Sequence, residues 1–204
     1  MNPAFPKNEY AALIFDCDGT LTDSMPLHYL AWYRTMSRHG IDFPEARFYE
    51  LGGMPTEKII ERLSQEQRVP IDVQAAAKEK EDAFVEMLSL LRPIECVLAV
   101  ASAYRGILPM AIASGGYRDV ILKQLSQIGC SGWFDAIVTA EDTVHHKPAP
   151  DVFLAAASRL GVTPDKCLVY EDSEMGVQAA RAASMEVIDI RQFHKPQQIP
   201  GNPV

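Results

Sequence analysis

Ala11-Ala12-Leu13-Ile14-Phe15-Asp16-Cys17-Asp18-Gly19-Thr20 decides the fold, because an apolar run passes directly into two carboxylates set two residues apart. A short, wholly apolar run reads as a parallel strand buried on both faces. Its carboxyl end then lies at the sheet edge where open α/β folds bind ligands. Side chains two apart on an extended chain point the same way, so Asp16 and Asp18 share one side. Like charges that close are unfavourable without a cation, and oxygen donors favour a hard divalent ion, most simply Mg²⁺. Taken alone, the pair is also compatible with a plain polar corner between strand and loop.

Downstream, Ser24 is placed to cap a helix that has Pro26 in its first turn, runs to Arg38 and stops at Gly40, with Leu27, Leu30, Ala31 and Met36 as its apolar stripe. Helices are predicted at 55–68 and 73–91, the second from the spacing of Val73, Ala76, Ala77, Phe84, Met87, Leu88 and Leu91, with Asp72 available as its cap. Nothing in 25–91 reads as a strand. After Pro93 the pattern changes to helices at 94–103, 117–128, 150–160 and 174–183, alternating with strands at 110–113, 136–138, 167–170 and 187–188. That alternation predicts a doubly wound parallel sheet with right-handed crossovers. Residues 1–24 and 92–204 then form an α/β core, and 25–91 an inserted all-helical unit. The tail from Arg191, with Pro196, Pro200 and Pro203, is expected to be loose.

The composition sets outer bounds. At 204 residues and 48% hydrophobic, the chain suits one domain or a core with an insertion. Nineteen basic against 27 acidic residues give a net charge of −8, which offers nothing to nucleic acid or to an anionic membrane. Anionic substrates must be captured locally. No apolar run approaches the ~20 residues of a membrane span, and residues 1–7 lack the hydrophobic region of a signal peptide, so a cytoplasmic location is expected. Cys17, Cys96, Cys130 and Cys167 are too scattered for a zinc cluster or a disulfide framework and read as reduced packing residues. Without interface heptads, a monomer is expected.

Further reactive groups fall at the other strand ends: Ser114-Gly115-Gly116 after the second, Lys147-Pro148 in the loop after the third, and Glu171-Asp172 at the fourth. Parallel strands would bring these ends together with Asp16 and Asp18. Each has a simpler reading by itself. Ser114 could cap a helix, Lys147 could be a solvated loop residue, and Glu171-Asp172-Ser173 could cap the next helix. Together they match what phosphate chemistry needs in one place: a nucleophile, a cation, anion-binding groups and a metal cage.

In this set the chain resembles the haloacid dehalogenase-like phosphohydrolases, in the β-phosphoglucomutase-like branch that carries a helical cap. The matching segments are Asp16 to Ser24, Ala113-Ser114-Gly115, Lys147 to Asp151, and Glu171-Asp172-Ser173 with Gly176. Within that branch, His145-His146-Lys147-Pro148-Ala149-Pro150 and Phe134-Asp135-Ala136 are most similar to the fructose-1-phosphate and 6-phosphogluconate phosphatases. The resemblance implies that Asp16 is the nucleophile and Asp18 the acid and base. It implies Mg²⁺ held by the Asp16 carboxylate, the Asp18 carbonyl and Asp172, with Glu171 orienting metal-bound water. Thr20, Ser114 and Gly115 would bind phosphoryl oxygens, and Lys147 would bridge nucleophile and phosphate, its backbone held extended by Pro148.

Residues 25–91 would then be a lid that selects the substrate. His28 falls where the mutases place a histidine facing the acid/base residue, and Lys80 matches a cap lysine that could reach a sugar. His28 could equally be a surface residue of its helix, and the simpler reading of Lys80 is an exposed helix lysine. The loop Gly52-Gly53-Met54-Pro55-Thr56 corresponds to the specificity loop, with Gly53 and Thr56 as expected substrate contacts. The mutases carry a lysine and an arginine at the positions of Gly52 and Thr56, and their absence favours hydrolysis of a small sugar phosphate over mutase chemistry. A β-phosphoglucomutase is the alternative, and a receiver-type signalling domain a remote one. The adjacent His145 and His146 are expected to face solvent. Ser184 stands where the family usually has glycine.

Overall fold

The computed structural model describes residues 4–52 and 54–196. Five strands, β1 (Ala12–Phe15), β2 (Met110–Ala113), β3 (Ala136–Val138), β4 (Cys167–Glu171) and β5 (Glu186–Asp189), form one sheet in the order β3-β2-β1-β4-β5. Every pairing is parallel, with Leu13 opposite Met110 and Leu168. The sheet is the expected doubly wound α/β core.

Alternation along β1 sorts its residues between two cores. Leu13 and Phe15 pack with Val97 and Val100 of α5 (Glu95–Tyr104) and with Ile121 and Leu125 of α6 (Arg118–Gln127). Ala12 and Ile14 pack on the opposite face with Phe153 and Ala156 of α7 (Asp151–Leu160) and with Ala179 and Ala180 of α8 (Glu174–Ala182). The chain crosses from one face to the other after β3. The carboxyl end of β1 therefore lies at the point where the winding reverses, between β2 and β4, which is where such sheets bind ligands.

Between β1 and β2 the helices are α1 (Met25–Arg38), α2 (Glu45–Glu50), α3 (Thr56–Gln67) and α4 (Val73–Glu86), preceding α5. α1, α2, α3 and α4 bury a core of their own, with Trp32, Met36, Phe43, Phe48, Ile60 and Ala76 at its centre. A smaller cluster of Leu27, Ala31, Phe84, Leu91 and Val120 joins α1 and α4 to α6. Asp72 caps α4 by accepting from the Ala75 N–H at 3.0 Å. α2 is not among the predicted helices, being too short to show a period. α4 ends sooner than expected, at Glu86, and the chain continues as a 3₁₀ turn over Leu88–Leu90.

The tail departs from expectation up to residue 196. Phe193 packs against the sheet core and His194 lies 3.3 Å from Asp23, because buried Ile190 anchors the chain. Ser184, where the resemblance leads one to expect glycine, sits in a left-handed turn at φ +61°. That conformation costs a non-glycine residue roughly 1 kcal/mol. The described cysteines are all free.

Candidate active site

Asp16 extends the ladder past β1, its N–H donating to the Tyr170 carbonyl at 3.0 Å, and its carboxylate is buried. Lys147 arrives from the loop after β3. Its Nζ donates to Asp16 Oδ1 at 2.8 Å and to Glu171 Oε2 at 2.6 Å, with only 7% of the residue exposed. The solvated-loop alternative for Lys147 is therefore excluded. The Lys147–Pro148 peptide is cis. The other oxygen of Glu171 accepts from the Asp172 N–H, the Ser173 N–H and the Ser173 hydroxyl at 3.1, 2.9 and 2.8 Å. Glu171 thus anchors Lys147 as well as standing beside Asp172, and the Ser173 hydroxyl also caps α8 through the Gly176 N–H at 3.0 Å.

Oxygens of Asp16, Glu171 and Asp172 lie within 4.8 Å of one another. Burial pushes the Asp16 carboxyl up to about 8; Lys147 opposes this, while Glu171 and Asp18 add to it. Asp172 is raised for the same reason, by burial and then by Glu171 and Asp16. A cluster with more negative charge than Lys147 offsets, built of hard oxygen donors, fits a divalent cation. The pH dependence follows. A carboxyl raised in the folded state contributes stability at low pH that is lost as pH rises through its folded pKa. Metal-free protein should lose stability between about pH 4 and pH 8. Mg²⁺ should raise the thermal midpoint more at pH 8 than at pH 5, since protons compete for the same oxygens. Equal midpoints with and without Mg²⁺ at pH 8 would contradict a cation site here.

Two glycines are required by this cluster. Gly19 has φ +75°, and a Cβ there would lie 2.0 Å from Asp172 Oδ2. At Gly176 a Cβ would meet Glu171 Cδ at 2.0 Å. Gly19→Ala should cost about 1 kcal/mol for the backbone alone. It should also displace Asp172 and weaken Mg²⁺ binding, read as a higher Mg²⁺ concentration for half-maximal stabilisation. Thr20 serves the same cluster. It is fully buried and its hydroxyl donates to Asp172 Oδ1 at 3.1 Å, so it positions a carboxylate where phosphate contact was expected.

Asp18 is held separately from Asp16. Its Oδ1 accepts from Ser24 Oγ at 2.7 Å, from His28 Nε2 at 2.8 Å and from Gln124 Nε2 at 2.8 Å. Burial would raise this carboxyl, but His28 and these donors hold it well below the usual carboxylate range. The hydroxyl of Ser24 is thereby diverted, and α1 begins without a side-chain cap. Lys80 Nζ lies 3.0 Å from His28 Nδ1 and 2.9 Å from Glu81 Oε1. An ammonium only donates, so Nδ1 accepts and the His28 proton sits on Nε2, aimed at Asp18. The imidazole stacks on Phe84 at 3.8 Å, and Lys80 is buried beside Trp32. Neither His28 nor Lys80 is a surface residue.

Asp16, Asp18, Ser114, Gly115, Lys147 and Asp172 line one cavity of about 320 Å³, together with His28, Thr56 and Lys80 from the helices that precede β2. Ser114 is no helix cap. Its hydroxyl accepts from the Gly116 N–H at 3.0 Å, and α6 starts later, at Arg118, with Tyr117 as N-cap. Thr56 donates to Glu81 Oε1 at 3.1 Å. Gly53 lies outside the described residues. The two neighbouring histidines separate: exposed His145 pairs with Asp151 at 2.9 Å, whereas half-buried His146 lines the cavity. Gln124 escaped the sequence reading. A polar residue at a buried position of α6, beside Ile121 and Leu125, was its one signal.

These sheet-edge residues lie within a segment, residues 10–184, that matches the haloacid dehalogenase-like hydrolase family. The chain belongs to that family and is a hydrolase. It is 39% identical over 183 residues to the fructose-1-phosphate phosphatase YqaB of Escherichia coli (strain K12), covering 89% of this chain and 97% of the relative. It is 29% identical over 181 residues to a phosphorylated carbohydrates phosphatase of Thermotoga maritima, covering 87% and 83%. Among solved structures, a β-phosphoglucomutase from Clostridium difficile superposes with a TM-score of 0.78 at 26% identity, covering 88% of this chain and 84% of that one. No helix of the described residues is long and apolar enough to cross a membrane.

Proposed function

We propose that the protein hydrolyses the phosphomonoesters of small sugars, such as fructose-1-phosphate or 6-phosphogluconate, in a Mg²⁺-dependent reaction through an aspartyl-phosphate on Asp16. The observation that carries this reading is the placing of two differently held carboxylates in one cavity, Asp16 on Lys147 at 2.8 Å and Asp18 on its own donors. The helices of residues 25–91 act as the cap, and the enzyme works as a cytoplasmic monomer.

Mg²⁺, for which Asp16, Asp172 and the Asp18 carbonyl are the expected ligands with Glu171 beside them, would supply charge neutralisation between carboxylate and phosphate. Asp16 attacks phosphorus as the bond to the sugar oxygen breaks. Lys147 offsets charge on Asp16 and on the phosphoryl group, while Ser114 and the Gly115 N–H receive phosphoryl oxygens. Asp18, ionised in the empty site, takes up a proton from solvent as the phosphate dianion enters, because the added negative charge works against the donors that keep it ionised, and gives that proton to the leaving oxygen. It then takes a proton from the water that attacks the aspartyl-phosphate, which frees phosphate and restores the Asp16 carboxylate.

Charge on the helical side of the cavity supports a monophosphate. Lys80 is already committed to His28 and Glu81, and the Glu57 and Glu81 carboxylates line the cavity where a second phosphate would need cations. Lys58, which follows the loop in the sequence, is exposed and pairs with Glu61 at 2.8 Å. Purified protein with Mg²⁺ should release phosphate from fructose-1-phosphate, 6-phosphogluconate or 2-deoxyglucose-6-phosphate and fall silent in EDTA. Conversion of β-glucose-1-phosphate to glucose-6-phosphate with little free phosphate would favour the mutase instead.

A further inference from the structure

Gln124 is a polar side chain in a packed environment, fully buried on α6 between residues that face the sheet. Its Nε2 donates to Asp18 Oδ1 at 2.8 Å, and its Oε1 accepts from the Thr22 hydroxyl at 2.8 Å. The orientation of the amide is fixed at both ends. An ionised carboxylate only accepts, so the nitrogen must face Asp18, and the oxygen then faces a hydroxyl that donates. Thr22 is itself fully buried and has the Cys17 carbonyl as a second acceptor at 3.1 Å.

Ser24, His28 and Gln124 all converge on the same oxygen of Asp18. Among the described residues no hydrogen bond ends on Oδ2. That oxygen faces the turn after β2, 3.5 Å from where a Cβ on Gly116 would stand. Of the three donors, only Gln124 comes from an element packed on the sheet that carries Asp16. Ser24 and His28 come from the chain entering α1 and from α1 itself.

We infer that Gln124, set by Thr22, is a positioning residue: it ties Oδ1 of Asp18 to the sheet side of the site and thereby leaves Oδ2 to carry the proton to and from the reacting oxygens. The inference rests on the acid and base role proposed for Asp18. It is geometric, and concerns which oxygen reaches the substrate.

The test compares two leaving groups with Mg²⁺ present, fructose-1-phosphate, whose alkoxide needs a proton, and p-nitrophenyl phosphate, whose phenolate leaves without one. Gln124→Met keeps the volume and leaves Thr22 its Cys17 acceptor. It should lower kcat for the sugar phosphate about tenfold to a hundredfold with KM within about threefold. First-turnover release of p-nitrophenolate should stay within about threefold of the parent. Thr22→Val should fall in the same direction, Thr22→Ser should restore most of that loss, and the Thr22→Val/Gln124→Met pair should be no worse than Gln124→Met. Should Gln124→Met not fold, Thr22→Val against Thr22→Ser carries the same comparison. Equal losses on both leaving groups, an unchanged kcat, or losses that multiply in the pair would overturn the inference. Asp18→Asn separates the two levels: normal turnover there removes the role of Asp18 itself, whereas a dead Asp18→Asn beside an unaffected Gln124→Met removes only Gln124.

Discussion

Asp16→Asn is expected to abolish turnover and to leave the fold at least as stable as before. An amide is no nucleophile toward phosphorus, and loss of an attacking group costs about four to six orders of magnitude in kcat. Stability should move the other way. Burial and the neighbouring Glu171 and Asp18 push the Asp16 carboxyl up to about 8, so its ionised form is a burden on the metal-free fold at neutral pH. Asparagine keeps the shape and removes that charge, while Lys147 keeps Glu171 as a partner at 2.6 Å. The thermal midpoint in EDTA at pH 8 should therefore hold or rise. A variant within tenfold of the parent in kcat, or one that unfolds early, would contradict this account of Asp16.

The second large effect is on Lys147. Its ammonium lies between Asp16 and Glu171, and its side chain is 5% exposed. Lys147→Met leaves these buried carboxylates and Asp172 without a cation. Removing one partner of a buried ion pair costs about 3–5 kcal/mol, because the remaining charge is stranded. Urea unfolding in EDTA should show that loss, Mg²⁺ should restore part of it, and kcat should fall with it. Lys147→Arg should not rescue the site, since a planar fork cannot take the place of a point charge between two oxygens. Stability within about 1 kcal/mol of the parent without metal would show that the ion pairs contribute little.

Much of the sheet edge was legible because parallel strands place equivalent ends side by side. Once 11–15, 110–113 and 167–170 are read as strands, Asp16, Ser114 and Asp172 must converge. The aim of individual hydroxyls was not legible. Ser24, Thr20 and Ser114 each had a local helix, phosphate or cap reading, yet each is bound to a partner that the fold alone supplies: Asp18, Asp172 and the Gly116 N–H. Gln124 lies 106 residues from Asp18 in the chain, and a helix period registers it only as a break in an apolar face. Buried Lys80 finds one acceptor in its helix neighbour Glu81 and the other in His28, 52 residues away, and no propensity of its own helix encodes the second. The histidines at 145 and 146 part for a similar reason. The loop that delivers Lys147 to the cavity carries the adjacent His146 with it and turns His145 outward to Asp151.

A trapped phosphoryl-enzyme tests the central claim most directly. Asp18→Asn should still form the intermediate from p-nitrophenyl phosphate and Mg²⁺, since that leaving group needs no proton, and then stall for want of a base. After acid quenching, peptide mass analysis should find one hydroxylamine-labile phosphoryl group on the peptide that contains Asp16. Stoichiometric release of p-nitrophenolate with Asp16 unmodified, or with the phosphoryl group on another residue, would contradict it.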